Sequence, residues 1–125
     1  MASGASAHLE SAILTQYLIT NAAYISLHTG SASGGLNEVS TTATGYARQP
    51  IPFTLSGSEP TQAQNNALVQ FPTAAAAWGT VSAIGIWDAV GVGNLLFYGD
   101  ISTPKAIGIG DVARFDVNTV TIIAN

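Results

Sequence analysis

From Ser6 to Thr20, apolar residues recur at Leu9, Ala12, Ile13 and Tyr17, one stripe of a short amphipathic helix. Ser6 suits its N-cap and Asn21 its stop. Leu14 and Leu18 widen the stripe, so this helix is expected to touch two surfaces. Beyond it the period falls to two. Between Ala23 and Thr29, the residues Tyr24, Ser26 and His28 share one face of a strand, and Ala23, Ile25 and Leu27 the other. Residues 30 to 44 carry turn and loop chemistry. Tyr46 to Phe53 reads as extended, but Pro50 and Pro52 cannot donate to a ladder, which confines it to an edge or a bulge.

A second polar loop is expected over residues 56 to 65, followed by a short strand from Asn66 to Phe71 that Pro72 closes. Thr73 to Trp78 fits either a helical turn or an extended link. Val81 to Trp87 and Leu95 to Gly99 read as a hairpin, joined by a loop with two glycines, Gly91 and Gly93. Val112 to Val117 and Val120 to Ile123 are the last strands, with Asn118 and Thr119 at a turn or bulge. The whole is one mainly β domain over residues 1–125: an N-terminal arm and helix over 1–20, then an antiparallel β-sandwich or small barrel over 23–125. The hairpin strands alternate poorly. Ile84, Ile86 and Trp87 are all apolar, as are Leu95, Leu96, Phe97 and Tyr98. Both faces of these strands should therefore be covered, one of them by the chain's own core.

The charge content sharpens this expectation. Only 8% of the 125 residues are charged, against about 25% in an average soluble domain. The surface must be built from small and uncharged polar residues, and such a surface has few charges to desolvate when a partner covers it. Three cations against seven acids, a net charge of −4, argue against a nucleic-acid footprint. No apolar run reaches the ~20 residues of a membrane span. The N-terminus shows no basic and continuously apolar signal-peptide pattern. There is no cysteine, hence no disulfide framework.

Catalytic and metal motifs are missing. His28 has no G-x-S-x-G elbow to serve, and reads as a hydrogen-bonded strand histidine at an edge or interface. Two histidines without H-E-x-x-H, and acids without a D-x-D-x-D-G cluster, give no metal site. Asp88 and Asp111 look like turn formers. Neither catalytic residues nor cofactors are expected. Arg48 pairs with Glu38 or Asp88, within its own loop or across subunits. Trp78 and Trp87 fill a core or an interface, or stack on a carbohydrate.

The segments "YISLHTG" (Tyr24 to Gly30), "NEVS" (Asn37 to Ser40), "GYARQPIPF" (Gly45 to Phe53), "FPTAAAAWGTVSAIGIWDA" (Phe71 to Ala89) and "GNLLFYGDISTPKAIGIGD" (Gly93 to Asp111) carry a resemblance. In order and spacing they resemble small β-rich structural proteins of tailed bacteriophages, variously tail-fibre-like, minor structural or head-decoration proteins. The resemblance implies a non-enzymatic virion protein. Its first reading is a capsid cement protein, a homotrimer on the outer capsid surface whose partners are itself and the major capsid protein, and in which a neighbouring copy would cover the second face of Val81 to Trp87 and Leu95 to Tyr98. Its second is a tail-fibre or tailspike module that recognises a host glycan receptor. Arg48, Tyr46, Trp78, Trp87, Phe97 and Tyr98 are the candidate interface residues.

Overall fold

A computed structural model describes residues 6–55 and 62–123. The arm expected over residues 1 to 5, and the part of the polar loop over 56–61, lie outside the described residues. The chain is mainly β, with one short N-terminal helix and antiparallel strand pairs. Helix α1 spans Ala7–Leu14 and continues as a π-helical turn over Thr15–Thr20. The strands are β1 (Tyr24–His28), β2 (Gln49–Pro50), β3 (Phe53–Leu55), β4 (Gln62–Asn65), β5 (Val69–Gln70), β6 (Gly79–Trp87), β7 (Leu95–Ile107), β8 (Arg114–Phe115) and β9 (Thr121–Ile123). They form three open sheets, ordered β2-β1-β6-β7, β3-β4-β9 and β5-β8. Of the two architectures the pattern allows, the closed barrel is not formed among the described residues. Buried side chains from all three sheets and the helix meet in one core.

The helix begins as the sequence requires: the Ser6 Oγ accepts from the Leu9 amide. The buried side differs from the expected stripe. Leu9 and Tyr17 are exposed, while Leu14 and Leu18 enter the core. The widened turn after Leu14 breaks the 3.6-residue period on which the stripe was drawn. Docking beside β3 and β4 then selects the i, i+4 pair Leu14 and Leu18. Pro50 sits in β2, an edge strand of its sheet, as its missing donor demands. Thr73 to Trp78 is irregular chain, neither helix nor strand. β4 forms in a stretch expected to be loop; its burial alternates, with Ala63 and Asn65 inward. Polar Gln62, Gln64 and Asn65 hide that strand from a reading based on apolar periodicity.

The β6–β7 hairpin is longer than its apolar core. β7 runs on to Ile107 through two register shifts against β6. At the larger one, Val81 pairs with Lys105 but Ala83 with Asp100. The extra residues, Pro104 among them, bulge out of the ladder, which is where a strand tolerates proline.

The expectation that a neighbour covers the second face of β6 is overturned. In register, Ser26 lies opposite Gly85, Tyr24 opposite Trp87 and His28 opposite Ala83. That face is closed by the chain's own 30–48 segment, which lays Leu36, Glu38 and Arg48 beside Ser26, His28 and Trp87. Ser26 and His28 are fully buried. The opposite face carries Ile25 and Ile86 into the main core.

Trp78 is a core residue. Its ring meets Tyr46 edge-on at 5.4 Å and Phe71 at 6.4 Å, and its Nε1–H donates to the Thr44 carbonyl at 2.8 Å. Trp78→Ala should therefore lose roughly 3–5 kcal/mol, the usual cost of emptying an aromatic core site. Urea titration followed by far-UV circular dichroism checks it. A midpoint equal to wild type would place the ring outside the core.

Candidate functional site

The polar centre of the molecule is built on one wet-looking face of two central strands and sealed from water. The alternation of β1 puts Ser26 and His28 on the same face, two residues apart. Ser26 Oγ lies 2.6 Å from His28 Nε2, and His28 Nδ1 lies 2.6 Å from the Leu36 carbonyl. A carbonyl only accepts, so Nδ1 carries the proton and Nε2 takes the Ser26 hydroxyl proton. Trp87 Nε1–H donates to Ser26 Oγ at 2.8 Å. The chain of donors thus runs one way, from Trp87 through Ser26 and His28 to the backbone of the 30–38 loop.

Space for this chain depends on two glycines. A Cβ on Gly85 would stand 2.7 Å from Ser26 Oγ, and one on Gly35 would stand 2.7 Å from the outer edge of the Trp87 ring. Gly35 also has φ +78°, a left-handed conformation that suits glycine.

Arg48 completes the cluster. Its Nε and Nη2 each donate to Glu38 at 2.9 Å, a bidentate pair. Its guanidinium carbon sits 3.7 Å from the centroid of the Trp87 ring, a cation–π contact. Its Nη1 donates to the carbonyls of Ala89, at 3.1 Å, Gly91 and Val92, at 3.2 Å. Tyr46 O–H donates to Glu38 at 2.6 Å and accepts from the Leu27 amide. One side chain therefore ties the 30–38 loop, the β2 approach and the 88–94 hairpin loop together.

Burial pushes Glu38 up, but the hydrogen bonds from Arg48 and Tyr46 outweigh it and hold its carboxyl below the usual range. Burial pushes His28 down, against the pull of the Leu36 carbonyl and the Glu38 charge, and keeps the ring neutral. Burial and the bond to Glu38 push the Tyr46 phenol far above its ordinary range.

Of the six candidate interface residues, four lie inside the chain. Tyr46, Trp78 and Trp87 are buried, and the Arg48 side chain keeps only 9% exposure. Each is consumed by contacts within the chain, which leaves no indole surface for a sugar. Arg48 takes Glu38 and not Asp88 as its carboxylate. Asp88 instead caps the hairpin loop, accepting from the Asn94 amide at 2.7 Å and its side chain at 2.9 Å. Those bonds hold its carboxyl low. Asp111 is likewise a turn former, accepting from the Gly108 amide. Phe97 and Tyr98 lie on β7, Phe97 packed against the core and Tyr98 58% exposed. His28 does not sit at an edge, since β1 lies between β2 and β6.

The Ser26–His28 contact has the distance of a nucleophile and its base. Both side chains have 0% exposure, and the histidine is oriented by a carbonyl while the nearby carboxylate is spent on Arg48. The pair is closed to solvent. Sequence reading missed it because its partners, the Leu36 carbonyl and the Trp87 ring, come from remote segments; the one available signal was that Ser26 and His28 share a strand face.

Arg48→Met leaves Glu38 with a largely buried, unpaired charge and should lose about 3 kcal/mol. Glu38→Leu with Arg48→Met should recover much of that loss, because the pair's charges are removed together. A double-mutant cycle by urea denaturation measures the coupling, and additive losses would mean the pair is not a unit. Acid should weaken the fold in two stages. His28 is held below its ordinary value of 6.5, so the unfolded chain binds its proton first and stability falls as pH drops below that value. Glu38 is held below 4.5, so its contribution is present above that value and is lost at lower pH. Urea midpoints between pH 7.5 and 5 should fall in wild type and stay flatter in His28→Gln.

No curated protein matches the chain. A family profile described as podophage GP4 fiber I protein gp80 matches residues 4–123, nearly the whole chain and all the elements that build this cluster. The chain belongs to the podophage GP4 fiber I protein gp80 family, a family of phage structural proteins.

Proposed function

We propose that this protein is a non-enzymatic component of a tailed-phage fibre, which works by holding surfaces in fixed positions for contacts with copies of itself and with other virion proteins. The observation that carries this is the use made of the polar cluster. Among the described residues, the Ser26–His28 contact is where a nucleophile and a base meet; it is sealed, and its polar groups are spent on fixing loops. A chemistry-free scaffold with rigid loops suits a structural part. The fibre reading follows the family match.

A trimeric cement protein on the outer capsid surface makes a different prediction about abundance. Both readings allowed a trimer whose neighbour covers the second face of β6; the chain closes that face itself, which favours neither. Quantitative mass spectrometry of purified virions separates the two. A fibre component should be far scarcer than the major capsid protein. Near-stoichiometric copies would replace the fibre reading with the cement reading, and absence from the virion would overturn both.

A further inference from the structure

The β6–β7 hairpin ends in two complementary features. At its turn, Val90 and Val92 stand in solvent, 58% and 91% exposed. The loop that carries them is held from both sides, by the Arg48 bonds to three of its carbonyls and by the Asp88 carboxylate on Asn94. A fixed loop has little freedom left to lose on binding, so its apolar tips are ready-made anchors.

At the other end a cleft of about 380 Å³ opens between β7 and β8. Val81, Ile101, Ile107 and Phe115 give it an apolar lining, and Lys105 and Arg114 line it too. The chain has three cations in all. Arg48 is taken by Glu38, and the other two are these. Asp116, also in the lining, lies 4.0 Å from Arg114, so the cleft's charges sum to 2 − 1 = +1. The hairpin loop carries Asp88 beside its valines. An apolar tip with one acid thus complements an apolar cleft with one surplus cation, in a protein that is otherwise acidic. β6 separates them by roughly 20 Å, at ~3.3 Å per residue from Val81 to Trp87. A chain cannot fill its own cleft.

We propose that the 88–94 loop of one copy docks in the β7–β8 cleft of a second copy, with Val92 entering the apolar lining and Asp88 facing Lys105 and Arg114. The contact joins two different patches, so it propagates head to tail and closes into a ring or extends as a filament. This deepens the fibre reading by naming its self-contact. It is tested on the isolated protein, so its failure leaves the virion copy number untouched.

The lack of cysteine in the chain makes the test clean. Val92→Cys and Val112→Cys, the latter in the cleft lining, are made as separate variants with different tags and mixed under mild oxidation. The expected product is a disulfide between the two variants, with neither variant alone cross-linking efficiently. Val92→Asp should abolish self-association in sedimentation velocity while its melting curve stays at the wild-type position, since this side chain touches little of its own chain. Cross-linking of Val92→Cys only to itself, no cross-link at all, or a wild-type monomer across the concentration series would each overturn the proposal.

Discussion

The burial of one guanidinium organises this molecule. Arg48 is placed between a carboxylate and an indole face, with three carbonyls at its remaining donor. A charge withdrawn from water is costly unless its hydrogen bonds are met. Here they are met by groups from two separate segments, Glu38 of the 30–38 loop and three carbonyls of the 88–94 loop, so these segments and the one carrying Arg48 have only one mutually satisfactory arrangement. The loop over 30–38 cannot leave without exposing His28 and stranding Arg48. The hairpin loop cannot flex without losing its contacts to Arg48. Among the described residues, no buried side-chain polar atom lacks a partner.

This arrangement explains how a chain with so few charges folds to a specific shape. Apolar burial alone is non-directional. The Trp87–Ser26–His28–Leu36 chain and the Arg48–Glu38 pair add direction. Ser26 connects indole and imidazole, Gly85 leaves room for it, and Gly35 leaves room for the indole. The aromatic group of Tyr46, Phe71 and Trp78 fills the core on the other side of the same segment. Tyr46 belongs to both systems, with its ring among the aromatics and its hydroxyl on Glu38. A defect in either system is therefore transmitted to the other.

For a virion part, rigidity of this kind has a functional sense. A loop that is already ordered binds without a large entropic loss. The exposed valines of the 88–94 loop are held by the most buried cation in the chain, which links the interior of the protein to its outermost apolar surface. The charge economy fits as well. With Arg48 neutralised, the remaining cations lie at one cleft, so a low total charge still gives the surface a polarity.

Much of the fold was legible because local rules fix it. Alternation in β1, the proline of β2, the Ser6 cap and the Asp88 turn all follow from short-range sterics and hydrogen bonding, and each stands where the sequence put it. The family resemblance was legible in ordered segments spread over nearly the whole chain. Tertiary structure alone decided the rest. Apolar periodicity cannot see β4, whose residues are mostly polar, nor choose between two overlapping helix stripes when a π-helical turn intervenes. Above all, it cannot say whether the second face of a strand is covered by another chain or by a distant segment of its own. Trp87 and Arg48 were recognisable as special from their scarcity. That they meet each other, inside the protein, depends on contacts between residues 48 and 87, a separation no local rule spans.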